Sequence, residues 1–183
     1  MSAQDCTGRF PWATILPFEG KTPQIHDTAF VAPGACLIGD VEIGPGASVW
    51  YNCVLRADLN RIVVGARSNV QDGTIIHVEP DLPALIGEDA LVGHMALLHA
   101  CTVEDRAFVG MGSIAMDGAR IGAGAMLAAG ALLAPGKAVP PRELWAGRPA
   151  RMMREIGDDE LARMASQTAL YCDLARRHRA CLT

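Results

Sequence analysis

A parallel β-helix followed by one C-terminal α-helix is the all-β fold that three features of this sequence predict. Aliphatic residues recur every six positions, small residues recur four positions after them, and an amphipathic segment follows where the repeat stops. A period of six is a multiple of the two-residue period of a β-strand and does not match the 3.6-residue period of a helix. Hexapeptide repeats of this kind are typical of parallel β-helices.

The composition suits a single domain and limits the partners it could bind. The chain has 183 residues, 50% of them hydrophobic and only 5% aromatic, so small aliphatic side chains must fill the core. Its 19 glycines can supply tight bends between short strands. The formal net charge of −4 argues against nucleic acid or an anionic membrane as a partner. Because no apolar run approaches ~18 residues and the first eleven residues are polar, we expect a cytoplasmic protein.

The six-residue repeat is carried by anchor positions that are aliphatic or alanine. Two interruptions, between Leu55 and Val64 and between Ile76 and Ile86, are expected to be loops. If three hexapeptides make one coil, the anchors give about six coils stacked at the ~4.8 Å spacing of strands. The anchors are Val31, Leu37, Ile43, Val49, Leu55, Val64, Val70, Ile76, Ile86, Val92, Leu98, Val103, Val109, Ala115, Ile121, Leu127, Leu133 and Val139.

Small residues occupy the fourth position after most anchors, where they allow the bends to pack close to the axis of the coil. These residues are Ala35, Ala47, Cys53, Ser68, Thr74, Ala90, Ala96, Thr102, Ala107, Ser113, Ala119, Ala125 and Ala131.

The pattern changes after the last anchor. Pro140 and Pro141 oppose further strand pairing. Asp158 can cap a helix that has acidic residues in its first turn and arginines near its far end, an arrangement that the helix dipole favours. We therefore expect an N-terminal extension (1–20), a β-helix domain (21–145), a connector (146–157) and a helix (158–181). The apolar stripe of the helix consists of Leu161, Met164, Ala165, Thr168, Tyr171, Cys172 and Ala175.

The cysteines are expected to be reduced thiols, several of them buried, because they form no C-x-x-C pair and no close framework. They are Cys6, Cys36, Cys53, Cys101, Cys172 and Cys181.

The repeat also places the histidines in three dimensions. Arg56, His77 and His99 directly follow anchors of successive coils, so they should form one outward-facing column at strand spacing. The same arithmetic puts Asp72 and His94 in a second column, one corner of the coil away.

Three imidazoles with one open position are typical of a catalytic metal site. The spacing allows His94 to complete the site in its own chain or in a neighbouring chain, since a flat-walled prism favours cyclic packing. The other two histidines, His26 and His178, are expected to be ordinary surface residues.

Several motifs together resemble those of the γ-class carbonic anhydrase family over roughly residues 20–175. They are the run Pro-Gln-Ile-His-Asp-Thr-Ala-Phe-Val-Ala-Pro-Gly-Ala (23–35), Arg56-Ala-Asp58, Asn69-Val-Gln71-Asp72-Gly73, Gly93-His94 through His99, Gly110-Met-Gly-Ser, Asp117-Gly118 and Gly147-Arg-Pro-Ala.

The resemblance implies a left-handed β-helix that assembles into a homotrimer with metal sites between subunits. His77 and His99 of one chain and His94 of its neighbour would bind the metal, which is Zn²⁺, with Fe²⁺ or Co²⁺ as alternatives. The implied activity is the reversible hydration of CO₂ to bicarbonate by metal-bound hydroxide.

The resemblance also assigns roles around the metal. Arg56 and Asp58 match an ion pair of the family beside the site, whereas Asn69, Gln71 and Asp72 match polar residues near the metal-bound water. Tyr171 resembles a helix tyrosine that approaches the site in related bacterial proteins.

The proton-shuttle glutamate of the family has no clear counterpart, because Asp58 is followed by Leu59 and the loop after His77 is short. Glu79 is a candidate for this role by position. Two other functions are compatible with the repeat: a non-catalytic metal-binding trimeric scaffold, and an acyl-CoA transferase or thioesterase.

Overall fold

The computed structural model describes residues 9–182 as three walls of short parallel strands stacked in seven layers, followed by one helix. The first wall consists of β1 (Thr14–Leu16), the first part of β4 (Cys36–Ile43), the first part of β6 (Val54–Val64), β8 (Ile75–His77), β11 (Leu97–His99), β14 (Ile114–Ala115) and β17 (Leu132–Leu133).

The other two walls complete each coil. The second wall consists of β2 (Gln24–Ile25), the later parts of β4 and β6, β9 (Ala84–Ile86), β12 (Thr102–Val103), β15 (Arg120–Ile121) and β18 (Ala138–Val139). The third wall consists of β3 (Phe30–Val31), β5 (Ser48–Val49), β7 (Asn69–Val70), β10 (Leu91–Val92), β13 (Phe108–Val109), β16 (Met126–Leu127) and β19 (Glu143–Gly147), with β20 (Ala150–Glu155) antiparallel to β19.

The anchors of the repeat form the core of the coil. Each of them is at most 2% exposed, and anchors of successive layers lie opposite one another, as Leu55 lies opposite Ile76 and Ile76 opposite Leu98. The predicted parallel β-helix of hexapeptide repeats is therefore confirmed.

Seven layers are one more than the six that the anchors predict. The extra inward positions are Ile15 and Ile25 in the first layer and Trp145 in the last. Ile15 and Ile25 are ten residues apart, so the six-residue period does not reveal them. Part of the expected N-terminal extension thus lies in the coil, and part of the expected connector forms β20.

One of the small positions differs from the prediction. Thr102 is half-buried and faces outward, because the repeat slips by one residue after Leu98. Cys101 takes the inward position instead and is 2% exposed.

The two interruptions of the repeat have different structures. Residues 58–61 protrude from the continuous strand β6, since Gly39 and Val41 of the neighbouring strand pair with Ala57 and Ile62. The second interruption is a turn closed by a bridge between Glu79 and Leu82. Each interruption brings one acidic side chain, from Asp58 or Glu79, to the edge of the first wall.

The C-terminal helix α1 (Asp158–Leu182) packs against the third wall through an aromatic cluster. The aromatic residues of this cluster are Phe30, Trp50, Tyr51 and Tyr171. Met164, Thr168 and Ala175 are buried as predicted, whereas Ala165 is exposed. Within residues 9–182, no helix is long and apolar enough to cross a membrane.

His178 is not the ordinary surface residue that the sequence suggested. It is half-buried, and its Nδ1 atom lies 2.8 Å from the hydroxyl of Tyr51. Its ring also packs at 5.1 Å from the ring of Trp50. The last turns of the helix bring it into the aromatic cluster.

The described cysteines are free thiols, and Cys6 lies outside the described residues. Burial raises the pKa of Cys53 and of Cys101 to about 12, so both stay protonated. The described free cysteines are Cys36, Cys53, Cys101, Cys172 and Cys181.

Candidate metal centre

Arg56, His77 and His99 stand in one column on the first wall. The strand register pairs Arg56 with His77 and His77 with His99, as the spacing of the anchors predicts. All three directly follow a buried anchor, so the alternation of a β-strand turns their side chains outward. The side chains of His77 and His99 are 15% and 28% exposed, which leaves them accessible at the surface of the wall.

The two imidazoles of this column face each other. The Nδ1 atom of His77 lies 3.0 Å from the Nε2 atom of His99. The opposite nitrogen of each ring lies against a carboxylate: His77 Nε2 is 3.0 Å from Asp58 Oδ1, and His99 Nδ1 is hydrogen-bonded to Asp117 Oδ1.

These contacts determine where the ring protons lie. An ionised carboxylate can only accept hydrogen bonds, so each ring must place its N–H on the carboxylate side. When both imidazoles are neutral, the two facing nitrogens of His77 and His99 then both carry lone pairs. Their 3.0 Å separation is close to the roughly 3.3 Å between two nitrogens held at ~2.05 Å by one tetrahedral Zn²⁺ ion. This donor pair therefore fits a divalent cation.

Asp58 is held by two donors. Desolvation is the largest single effect on its carboxyl group and raises its pKa, but the hydrogen bonds from His77 and Arg56 together outweigh it and leave the pKa below its usual value. Arg56 Nη1 donates to Asp58 Oδ2, while Oδ1 faces His77. The ion pair that the sequence motif suggested is present, and it also supports a histidine.

Glu79 lies at the edge of the same group. Its Oε1 atom is 3.9 Å from His99 Nε2, and its side chain is 45% exposed. The turn that closes the second interruption of the repeat brings it there. Glu79 is thus a partly exposed carboxylate beside the histidine pair.

A second group of polar side chains lies around His94. The Nδ1 atom of His94 is 2.9 Å from Asp72 Oδ2, and its Nε2 atom is 3.4 Å from the hydroxyl of Tyr171 on α1. Burial, and secondarily the negative charge of Asp72, raises the pKa of Tyr171. All three candidate metal-binding histidines thus keep one nitrogen on a carboxylate and leave the other for a different partner.

Asn69 and Gln71 lie on the third wall beside this second group and are almost fully buried. Gln71 Nε2 donates to Asn69 Oδ1 at 3.1 Å. Within residues 9–182, the Nδ2 atom of Asn69 has no hydrogen-bond partner. A buried amide donor without a partner is costly, so this position favours a polar ligand or water.

The two groups are separate within one chain. Among the described residues, no side-chain hydrogen bond or ion pair joins the group of His77 and His99 to the group of His94. Within residues 9–182, one group of three side chains has potential ligand atoms that all lie within 4.8 Å of one another. It consists of Glu79, His99 and Asp117 and does not include His94. A single chain therefore presents a histidine pair and a lone histidine at different places on its surface.

Asp117 was not predicted to be a site residue, although Asp117-Gly118 is one of the motifs quoted above. Ala115 pairs with Leu98, so Asp117 follows one position beyond the residue that continues the column of His99. Extending the column by one coil reaches Met116, so counting along the repeat does not reveal Asp117.

A cleft of about 590 Å³ opens between α1 and the third wall next to His94. Its lining is mainly apolar and includes Met111, Met126 and Leu170, with Gln71 and Tyr171 at the side of His94. The second group therefore lies beside a mainly apolar cleft.

The coil and its surface define a class of protein: a hexapeptide-repeat protein with three histidine–carboxylate pairs. No family model matches the chain. The carbonic anhydrase of Geobacillus kaustophilus is 45% identical over 166 residues, which cover 91% of each chain. Gamma carbonic anhydrase 2, mitochondrial, of Arabidopsis thaliana is 44% identical over 171 residues, 90% of this chain and 62% of the relative. The chain thus spans less than two thirds of the length of that plant relative. The chain belongs to the γ carbonic anhydrase family.

Other relatives have different descriptions. The carnitine operon protein CaiE of Escherichia coli K12 is 43% identical over 160 residues, 87% of this chain and 82% of the relative. A solved structure from Bacillus cereus, described as a candidate acetyltransferase, has a TM-score of 0.91 and 38% identity, and the match covers 92% of this chain and 98% of that one. A hexapeptide transferase family protein from Anaplasma phagocytophilum has a TM-score of 0.86 and 45% identity, and the match covers 89% and 96% of the two chains.

Proposed function

We propose that this protein is a metal-dependent carbonic anhydrase that hydrates CO₂ reversibly to bicarbonate as a cytoplasmic homotrimer. The observation that carries the proposal is that His77, His94 and His99 each place one ring nitrogen on a carboxylate and leave the other available. Ligand histidines in metalloproteins are usually oriented in this way by an outer carboxylate.

The three available nitrogens would hold the metal. Three imidazoles suit Zn²⁺, with Fe²⁺ and Co²⁺ as alternatives. When bound, such an ion would act as a Lewis acid and would lower the pKa of water to about 7.

The residues around the ligands would orient the reactants and stabilise the site. Gln71, held by Asn69, offers its amide beside His94, and Tyr171 places its hydroxyl at the same histidine. Asp72 holds the ring of His94, and Arg56 holds Asp58 against His77.

Glu79 would remove the proton that each hydration releases. It is the candidate because its carboxylate lies near His99 and is nearly half exposed, so it can exchange protons with buffer. A positioned carboxylate that passes a proton to solvent satisfies the requirement of each catalytic cycle.

The separation of the two groups supports the trimer. A cyclic arrangement can bring the histidine pair of one chain against the lone His94 of the next. Ile75 and Leu97 support such packing, because they stack on the first wall beside His77 and His99 and are 47% and 36% exposed. Their exposure to water is unfavourable unless another surface covers them.

An acyl transferase is the second candidate. The similarity to the Bacillus cereus and Anaplasma phagocytophilum proteins favours it, since their descriptions name transferases. The apolar cleft beside His94 is the place where an acyl group could bind. This function needs one basic histidine and does not account for the opposed pair His77 and His99.

A stopped-flow assay of CO₂ hydration, on protein purified anaerobically and analysed for metal, tests the proposal. We expect activity that rises with pH through an apparent pKa near ~7 and is lost in the His77→Ala variant. His26→Ala is the matched control, because within residues 9–182 the side chain of His26 is hydrogen-bonded to Thr28 and to no residue of either group. No hydration by fully metal-loaded protein would contradict the proposal and favour a scaffold, and acyl-CoA turnover in its place would favour the transferase.

A further inference from the structure

We propose that Asp117 is a positioning residue of the metal centre, which holds the ring of His99 so that its Nε2 atom faces the ion. The inference rests on the proposed function, in which His99 is a ligand. It gives a role to a side chain that lies within a quoted motif but has no role assigned to it above.

The contact is specific for one edge of the imidazole. Asp117 Oδ1 accepts the hydrogen bond of His99 Nδ1, while Nε2 on the other side of the ring faces His77 Nδ1 at 3.0 Å. Because a carboxylate accepts a proton donor, the contact keeps the proton of His99 on Nδ1. The lone pair of Nε2 is then available to a cation.

The backbone around Asp117 is fixed by three adjacent coils. On one side, Gly118 N donates at 2.8 Å to the carbonyl oxygen of Ala100, the residue that follows His99. On the other side, Gly136 N of the next coil donates at 2.8 Å to Asp117 O. Ala100 N in turn donates to His77 O at 2.9 Å. The same hydrogen-bond ladder therefore positions the carboxylate and both histidines.

Asp117 could instead be a ligand itself, since its carboxylate and the ligand atoms of Glu79 and His99 lie within 4.8 Å of one another. Its present contact argues against this role. A carboxylate that accepts the Nδ1 proton lies at the opposite edge of the ring from Nε2, which faces the other histidine of the pair. The positioning role and the ligand role make different predictions for an asparagine at this position.

Removing the carboxylate would let the pair close on itself. Without Asp117, the proton of His99 can move to Nε2 and be donated to His77 Nδ1, which already lies at hydrogen-bond distance. Metal would then have to break this bond. Loss of an outer partner of a ligand histidine lowers metal affinity about 10- to 100-fold.

The test is a titration of metal-free protein with Co²⁺ against a competing chelator, for wild type, Asp117→Ala and Asp117→Asn. Asp105→Asn is the matched control, because Asp105 is an exposed corner residue whose carboxylate, within residues 9–182, accepts only from the backbone N of Glu88. We expect Asp117→Ala to bind Co²⁺ about 10- to 100-fold more weakly, and Asp117→Asn to retain most of the affinity because its amide oxygen still accepts the Nδ1 proton. The nitrogen chemical shifts of His99 should show the proton on Nδ1 in wild type and in Asp117→Asn, but not in Asp117→Ala.

The outcomes separate the two proposals. Equal Co²⁺ affinity in wild type and Asp117→Ala would overturn the positioning role and leave the proposed function intact. Equal losses in Asp117→Asn and Asp117→Ala would overturn it in favour of a ligand role. Absence of Co²⁺ binding by the wild type would overturn the proposed function and this inference with it.

Discussion

The Nδ1 atom of His77 and the Nε2 atom of His99 lie 3.0 Å apart, on residues that are paired in register on adjacent strands. Both rings place their other nitrogen on a carboxylate, so two lone pairs face each other across this gap. Such an arrangement is unfavourable by itself and becomes favourable when a cation lies between the nitrogens. The rigid coil maintains it, because the backbone of both residues belongs to the strand ladder.

The first prediction concerns metal content. Elemental analysis should find about one transition-metal ion per chain in the wild type, since three ligands define one site. His77→Ala should lose most of it during dialysis against a chelator, because two ligands hold a labile ion poorly. His26→Ala should keep the wild-type content, and equal content in His77→Ala would refute the assignment of the ligands.

A second prediction concerns proton removal by Glu79. Glu79→Gln should lower kcat at low buffer concentration by up to about 100-fold, because the amide cannot take up a proton. Added imidazole should restore much of the rate by carrying the proton directly to solvent. Glu42→Gln is the control, since Glu42 is exposed on the second wall, two strands away from the strand β9 that follows this turn. An unchanged kcat for Glu79→Gln in dilute buffer would exclude Glu79 from proton transfer.

The third prediction concerns acid stability and follows from Asp58. The folded protein holds the pKa of this carboxyl group below its ordinary value of 3.8, so the stabilisation is present above that pH and is lost as the pH falls through the folded pKa. In chelator-treated protein, the Tm of Asp58→Asn should lie below that of the wild type by a constant amount from pH 7 to about pH 5, and the difference should narrow below pH 4.

Asp81→Asn is the control for this measurement, because Asp81 is exposed and its side chain has no hydrogen bond or ion pair within residues 9–182. Its Tm should follow that of the wild type throughout. A gap between Asp58→Asn and the wild type that widens as the pH falls would contradict the sign of the effect.

Much of the fold could be predicted from the sequence, because one inward side chain every six residues is a strong and local signal. Each anchor is buried, and the column of His77 and His99 follows from counting along the chain. The first layer could not be predicted in this way, since an irregular segment separates Ile15 from Ile25. The contacts of His178 could not be predicted from the repeat, because they depend on where the helix lies on the third wall. The approach of Tyr171 to His94 was implied only by the family resemblance.

The candidate site was predictable where it follows the strand register and unpredictable where it depends on turns. Asp58 and Glu79 both lie in interruptions of the repeat, where counting gives no direction for a side chain. The carboxylate partner of each histidine likewise depends on side-chain geometry between coils.

The fourth prediction tests the close stacking of the coils at Gly65. A methyl group on Gly65 would lie 2.4 Å from the carbonyl oxygen of Gly87 in the next layer, so Gly65→Ala should force the layers apart. We expect a loss of about 1–3 kcal/mol in the free energy of unfolding, measured by denaturant titration. Gly157→Ala, where a methyl group meets no atom within 4 Å, is the control and should change stability little. Equal stability of the two variants would contradict the packing at this corner.

The central claim is that the metal site joins His77 and His99 of one chain to His94 of the next, and subunit mixing tests it most directly. His77→Ala and His94→Ala are each expected to be inactive. They are unfolded together in equal amounts and refolded, with refolded wild type as the control for recovery. A complete site arises where a His94→Ala chain supplies the pair and a His77→Ala chain supplies His94. Random cyclic assembly therefore predicts recovery of about a quarter of the sites. Activity that stays at the level of the separate variants, while the wild type recovers, would contradict the shared site.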